Sequence, residues 1–149
     1  MQYNVLAVAL FACAASASFV DQNVYASEIA PAMLQHLAGY RAGGGPGLSS
    51  AQSSFLDDAE SVVKNLNVEK LEGLKDACNA AFGSEECTNI LHPGGQVKSG
   101  LGKRDDCQCS TKDSWCDNNT RCSGGAGGCS KVGGCGTLYR YECDGECVN

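Results

Sequence analysis

The sequence is poor in the groups on which most enzymes, membrane proteins and nucleic-acid-binding proteins depend. Among 149 residues there are two histidines and one tryptophan. Beyond Ala15 no segment approaches the run of about 20 apolar residues that crosses a bilayer. The formal net charge is −6, so we expect no nucleic acid as a partner. Cysteine is the exception, with eleven residues.

The first residues predict export from the cell. Val5–Ala15 is an uninterrupted apolar run, and small residues follow it up to residue 18. This pattern is typical of a cleaved secretory signal, so we predict a signal peptide over residues 1–18 and an extracellular protein. The alternative is a bacterial lipoprotein signal ending at Cys13. The bulky Phe11 and the absence of Lys and Arg from residues 1–4 disfavour it.

Residues 19–92 have the apolar periodicity of helices, and we predict a pro-segment of three to four of them. Pro31 suits the first turn of the first helix, Ser54 the N-cap of the second, and Gly83 the end of the third. The predicted apolar faces are Ile29, Met33, Leu34, Leu37, Tyr40; Phe55, Leu56, Ala59, Val62, Val63, Leu66; and Val68, Leu71, Leu74, Cys78, Ala81, Phe82.

A fourth short helix is predicted from Ser84 to Leu91, ending before Pro93. It places Cys87 across the Gly83 turn from Cys78. In an oxidising compartment we expect these two cysteines to form a disulfide rather than two buried thiols.

Residues 93–104, PGGQVKSGLGKR, have the composition of a flexible linker. The linker ends at Lys103 and Arg104. Proteases of the kexin type recognise two adjacent cations in an accessible, extended loop, where nicking concentrates. We therefore predict a processing protease of this type as a partner, with cleavage after Arg104. The alternative is an ordinary pair of solvated charges.

The remaining segment, residues 105–149, is the cysteine module. It holds eight of the eleven cysteines and few large apolar residues, so we expect crosslinks rather than an apolar core to hold it together. Four disulfides would contribute on the order of 8–16 kcal/mol. Zinc is disfavoured because the module has no histidine and no C-x2-C spacing. Eight cysteines allow 105 pairings. The predicted disulfide cysteines are Cys107, Cys109, Cys116, Cys122, Cys129, Cys135, Cys143 and Cys147.

Short strands and turns complete the expected module. Thr137–Tyr141 is the best candidate strand, and Asp144 with Gly145 would close a hairpin. We expect a small disulfide-rich, knottin-like module with a short β-hairpin, preceded by the helical pro-segment. Asn118 begins the sequon Asn-Asn-Thr and is a predicted glycosylation site.

No arrangement of residues in the module predicts catalysis. Both histidines, His36 and His92, precede the predicted cleavage site, and the module offers no reduced cysteine, so a catalytic triad cannot form there. No carboxylate spacing matches a calcium loop. We predict a non-enzymatic protein without cofactor or metal.

The layout of the whole chain resembles that of fungal small secreted cysteine-rich proteins, which include effectors and toxin-like peptides made as kexin-processed precursors. The apolar leader, the helical pro-segment, the Lys-Arg pair and the cysteines after it carry the resemblance. It implies a virulence factor that binds an external host or competitor target through a rigid surface.

A narrower stretch, Cys129–Thr137, looks like part of a hevein-type chitin-binding module. It departs from that family in having no adjacent Cys-Cys pair, and in having Val132 and Gly134 where the family stacks sugars on aromatics. The flat apolar side chains that could form a binding surface are instead Trp115, Tyr139 and Tyr141. An antimicrobial or defensin-like peptide is a further alternative, which the net charge of −3 over residues 105–149 disfavours.

Overall fold

The computed structural model describes residues 19–44, 47–93, 107–116, 120–124, 129 and 132–149. Helices come first, and a small C-terminal region of short antiparallel strands follows, in the predicted order. None of the helices within these ranges has the length and apolar character needed to cross a bilayer. The main elements are α1 (Ala30–Gly44), α2 (Ser50–Asn65), α3 (Leu71–Phe82), α4 (Ser84–Leu91), β1 (Arg121–Gly124), β2 (Val132–Cys135), β3 (Tyr141–Cys143) and β4 (Gly145–Val148).

Helical structure begins before α1. The carboxylate of Asp21 accepts hydrogen bonds from the backbone amides two and three residues later, and so caps the turn Gln22–Val24. A π-helical turn, Tyr25–Ile29, leads from there into α1. Pro31 lies in the first turn of α1, as predicted. Because its ring would clash with a carbonyl of the preceding regular turn, the wider π-turn allows the chain to continue as a helix on both sides of it.

A capping box starts α2. The Ser49 hydroxyl accepts from the amide of Gln52 at 3.2 Å, and the Gln52 side chain accepts from the amide of Ser49 at 2.9 Å. The N-cap predicted at Ser54 is therefore wrong. Apolar spacing identifies only the buried face of a helix, and the first turn of α2 is polar. The buried residues of α2 are Phe55, Leu56, Ala59, Val62 and Val63.

The second half of the helical region is a crosslinked pair. A short 3-10 turn capped by Asn67 precedes α3, and Gly83 separates α3 from α4 with a φ of 83°, which favours glycine. The expected disulfide between Cys78 and Cys87 is present, and both residues are buried. It clamps the turn between the two helices.

Within the part of the module that the structure describes, the strands form two separate two-stranded sheets. β1 pairs antiparallel with β4, and β2 pairs antiparallel with β3. The strand predicted over Thr137–Tyr141 is wrong in its first part. Residues 137–139 form a 3-10 turn in which Leu138 and Tyr139 have φ of 54° and 55°, and β3 begins only at Tyr141. Burial of these side chains outweighs their intrinsic β-propensity.

The hairpin turn predicted at Asp144 and Gly145 is also wrong, because β3 and β4 belong to different sheets. The carboxylate of Asp144 instead accepts from the amide and hydroxyl of Thr111 at 2.7 and 2.8 Å. A Cβ on Gly145 would lie 2.7 Å from the carbonyl oxygen of Ser123 and 2.8 Å from the Sγ of Cys122. Glycine is required here for the close approach of β1 to β4.

Four disulfides crosslink the module. In the order of the eight cysteines, the first pairs with the fifth, the second with the fourth, the third with the eighth and the sixth with the seventh. The bridges are Cys107–Cys129, Cys109–Cys122, Cys116–Cys147 and Cys135–Cys143.

One hydrophobic core continues from the helices into the module. Leu138, Tyr139 and Tyr141 are 0, 2 and 8% exposed and belong to the same buried cluster as the helical side chains. The expectation that crosslinks alone hold the module together is therefore wrong for the intact chain. The module has few apolar residues, but they are buried against residues 19–93, which we call the helical segment. The core residues that the helical segment contributes are Val20, Tyr25, Ile29, Ala30, Met33, Leu37, Phe55, Leu56, Ala59, Val62, Val63, Leu71, Leu74, Cys78, Cys87, Ile90 and Leu91.

Candidate functional site

The candidate site is the aromatic face of the module, formed by Trp115, Leu138, Tyr139 and Tyr141. All four side chains pack against the core that the helical segment provides. Leu138 and Tyr139 come from the turn between β2 and β3, and Tyr141 is the first residue of β3. The Cys135–Cys143 disulfide joins the two strands. The face is therefore carried by a short crosslinked hairpin.

Polar contacts hold the turn in its unusual conformation. The carboxylate of Asp113 accepts from the amide of Thr137 at 2.6 Å, and the indole N–H of Trp115 donates to the Thr137 hydroxyl at 3.2 Å. Gly136 has a φ of 73°, and a Cβ there would lie 2.5 Å from a ring carbon of Tyr141. These contacts turn the backbone so that successive side chains all point into the core.

The N-terminal end of the helical segment covers one side of the aromatic face. Phe19 forms an isolated antiparallel bridge with Tyr141, and their ring centroids lie 5.0 Å apart. The amide of Val20 donates to the Arg140 carbonyl at 3.0 Å, and the Arg140 guanidinium donates back to the Val20 carbonyl at 2.8 Å. The hydroxyl of Tyr25, at the start of the π-turn, donates to the Leu138 carbonyl at 2.8 Å.

The other end of the helical segment covers the rest of the face. The His92 ring stacks on Trp115 with centroids 5.6 Å apart, and it also lies 4.9 Å from the Tyr139 ring. The Tyr139 hydroxyl donates to the Pro93 carbonyl at 3.1 Å. The ammonium of Lys75, from α3, lies 4.1 Å from the centre of the Trp115 ring, within the range of a cation–π contact.

A buried cation, Arg140, lies where the N-terminal end of the helical segment covers the module. Arg140 is 3% exposed, and its guanidinium lies 4.7 Å from the ring centre of Tyr25 and 5.8 Å from that of Phe19. Burial lowers the pKa of Arg140, and the nearby Tyr25 and Asp21 partly oppose that shift. The aromatic faces and the Val20 carbonyl replace part of the hydration that this cation loses.

Burial also shifts the pKa of two tyrosines at the contact between the helical segment and the module. It raises the pKa of Tyr139 to about 12. Burial raises the pKa of Tyr25 as well, although the neighbouring Arg140 acts in the opposite direction. Both phenols therefore stay protonated, and remain hydrogen-bond donors, to a higher pH than an exposed tyrosine would.

The predicted surface residues Trp115, Tyr139 and Tyr141 all belong to, or pack against, the hydrophobic cluster that the helical segment forms. In the intact chain Tyr139 and Tyr141 are buried and Trp115 is half-buried. Sequence reasoning missed Tyr25 and Arg140. The available signal for Arg140 was its position as a lone cation between two tyrosines in Thr137–Tyr141.

Other predicted sites fall outside the described residues. These are the signal peptide with Cys13, most of the linker with Lys103 and Arg104, and the sequon at Asn118.

The one group of potential metal ligands found among the described residues is made of sulfur atoms already in disulfides. The Sγ atoms of Cys109, Cys116 and Cys122 lie within 4.8 Å of one another. Cys109 is bonded to Cys122, and Cys116 is bonded to Cys147. Metal ligation requires thiolates, so this group would hold an ion only after both disulfides were reduced.

Comparison with known proteins gives no relative from which a role could be transferred. No protein-family model matches the chain, and neither the search of curated proteins nor that of solved structures finds a match.

Proposed function

We propose that this chain is the precursor of a secreted cysteine-rich binding protein, an effector or toxin-like virulence factor that acts on an external host or competitor target without catalysis or cofactor. In this proposal a kexin-type protease cuts after Arg104, and the module of residues 105–149 recognises the target. The supporting observation is a set of aromatic side chains carried by a hairpin that the Cys135–Cys143 disulfide crosslinks. Rigid, pre-organised apolar surfaces lose little entropy on binding, which favours affinity.

The disulfides support the disulfide-rich part of this proposal, because four bridges join residues between Cys107 and Cys147. Their order departs from a knottin, in which three bridges all interleave, since Cys109–Cys122 lies nested inside Cys107–Cys129 and only Cys116–Cys147 crosses both. Such a framework tolerates proteases and extracellular redox conditions, as a protein acting outside the cell must.

The first experiment tests processing. The full chain is expressed in a secreting fungal host, and the product is analysed by intact mass before and after reduction. We expect a new N-terminus at Asp105, eight oxidised cysteines in that fragment, and a further mass increment if Asn118 carries a glycan. The matched control is the Lys103→Ala/Arg104→Ala variant, which should be recovered uncut. A wild-type product that stays uncut would contradict the processing step.

The second experiment tests the target class. The oxidised product is applied at micromolar concentration to plant tissue, to fungal and bacterial cultures, and to chitin beads. A tissue response that disappears after reduction supports the effector proposal. Growth inhibition would favour the antimicrobial alternative, and retention on chitin would favour the glycan-binding one. No response in tissue from a broad set of hosts would count against the proposal.

A further inference from the structure

We propose that the helical segment stays docked on the aromatic face after cleavage, so that the processed protein is a non-covalent two-chain complex. An external target then reaches the face only by displacing the helical segment. The proposal rests on the proposed function for the cut after Arg104. The docking itself follows from contacts in the intact chain.

The contacts that hold the two parts together lie away from the cut. On the helical side they come from Phe19, Val20 and Tyr25 at one end, Lys75 in α3, and His92 with Pro93 at the other end. On the module side they come from Trp115 and the turn of residues 138–141. Hydrolysis of one bond after Arg104 removes none of these contacts.

No disulfide between described residues joins the two parts. Cys78–Cys87 lies within the helical segment, and the other four bridges lie within the module. The linker between Pro93 and Cys107 is therefore the covalent connection that cleavage interrupts, and non-covalent contacts alone then hold the complex.

Separation would expose a surface that resembles a protein interior. Leu138 and Tyr139 would enter water together with Val20 and Tyr25, all of which are at most 4% exposed in the intact chain. The two-way hydrogen bonding between Val20 and Arg140 would also be lost. Buried aromatic and arginine side chains of this kind dominate the energetics of stable protein interfaces.

Cleavage weakens the association of the two parts only by removing the covalent tether between them. A tether as short as residues 94–106 holds its two ends at an effective concentration on the order of a millimolar. After the cut, the complex persists wherever its dissociation constant lies below the actual protein concentration, so persistence at about 10 µM requires a value below about 10 µM.

The test uses the purified, oxidised full-length chain, cut with a kexin-type protease and examined by size exclusion and native mass spectrometry at about 10 µM. We expect both pieces to elute together in native buffer, and to separate in denaturant without any reductant. Separate elution in native buffer would overturn the proposal.

The single tryptophan provides a second measurement. The half-buried Trp115 ring contacts Lys75 and His92 of the helical segment, so release of that segment would increase its exposure to water and to acrylamide. We expect its emission maximum and its quenching by acrylamide to be the same before and after the cut. A red shift with stronger quenching upon cleavage would contradict docking even if the fragments were difficult to resolve.

Two matched variants separate docking from general stability. Tyr25→Phe removes the hydroxyl that donates to the Leu138 carbonyl, whereas Tyr40→Phe removes one that donates to Glu86 within the helical segment at 2.6 Å. We expect Tyr25→Phe to speed dissociation of the cut complex about tenfold, because it leaves a buried carbonyl unpaired. Tyr40→Phe should leave that rate unchanged. Equal rates for the two variants would contradict the assigned interface.

The outcomes distinguish this proposal from the function on which it rests. If the pieces separate and the free module still acts on its target, docking is wrong and the proposed function stands. If the protease cannot cut after Arg104, both are wrong.

Discussion

Removal of the Cys78–Cys87 disulfide should destabilise both halves of the intact chain by the same amount. The bridge spans a sequence separation of 9 residues within the helical segment. The loop-closure model gives a loss of about 2.6 kcal/mol for a loop of this length. Both cysteines are fully buried, and deleting two sulfur atoms adds a packing cost of about 1 kcal/mol. The Cys78→Ala/Cys87→Ala variant should therefore lose between 3 and 4 kcal/mol, or about 10 °C in melting temperature.

The assay follows two signals during thermal and urea unfolding. Helix content by circular dichroism reports on the helical segment, and fluorescence of Trp115 reports on the module. Because both halves contribute to one core, the two transitions should coincide in the wild type and shift together in the variant. As a control, Asn79→Ala, at an exposed position of α3, should change stability by less than about 0.5 kcal/mol. A variant whose helix signal shifts while the Trp115 signal stays in place would refute the shared core.

Two further predictions concern the turn and the tyrosines. Gly136→Ala should cost about 2–4 kcal/mol in urea unfolding, because it combines a left-handed φ with overlap against a ring. Gly39→Ala, in α1 with no atom within 4 Å of the added Cβ, should instead raise stability by up to about 1 kcal/mol. Since burial raises the pKa of Tyr25 and Tyr139 in the folded state, their contribution should be complete below about pH 10 and decline above it as the unfolded phenols ionise first. Urea midpoints should be level from pH 8 to about pH 10 and fall above it, and Tyr25→Phe should make the fall shallower; midpoints that stay level to pH 11 would contradict this.

The helices were predictable because their signals are local. The spacing of apolar residues, Gly83 as a helix end and Pro93 as a stop are all properties of neighbouring residues in the chain. The Cys78–Cys87 bridge followed from the same local geometry. The N-cap of α2 was misplaced to Ser54 because the polar first turn contributes nothing to the apolar pattern.

The module was harder to predict because its conformation depends on distant partners. Thr137–Tyr141 has the composition of a strand, yet its first three residues form a turn, since Leu138 and Tyr139 are buried against the helical segment. Local propensity contains no information about such a contact. For the same reason, Trp115, Tyr139 and Tyr141 were predicted to form an open surface, whereas the helical segment packs against them.

The disulfide pattern could not be predicted for a combinatorial reason. The cysteines lie close together along the chain, so each could pair with several others. Which pairs form depends on how the strands pair. In the structure, Cys122 lies directly opposite Cys147 across β1 and β4, but bonds to Cys109 instead. Proximity in a sheet register therefore does not determine the covalent pairing.

Because Phe19 and Val20 contact the module, the proposed removal of a leader would have to leave both residues in place for the chain to keep these contacts. Signal peptidase acting after Ser18 would leave both residues in the exported chain. A cut two residues later would delete the bridge to Tyr141 and the reciprocal pairing with Arg140, and would open one edge of the interior to water. Heterologous expression with a foreign leader should therefore preserve Phe19 as the first residue, since heterogeneous trimming at this end would yield molecules of unequal stability.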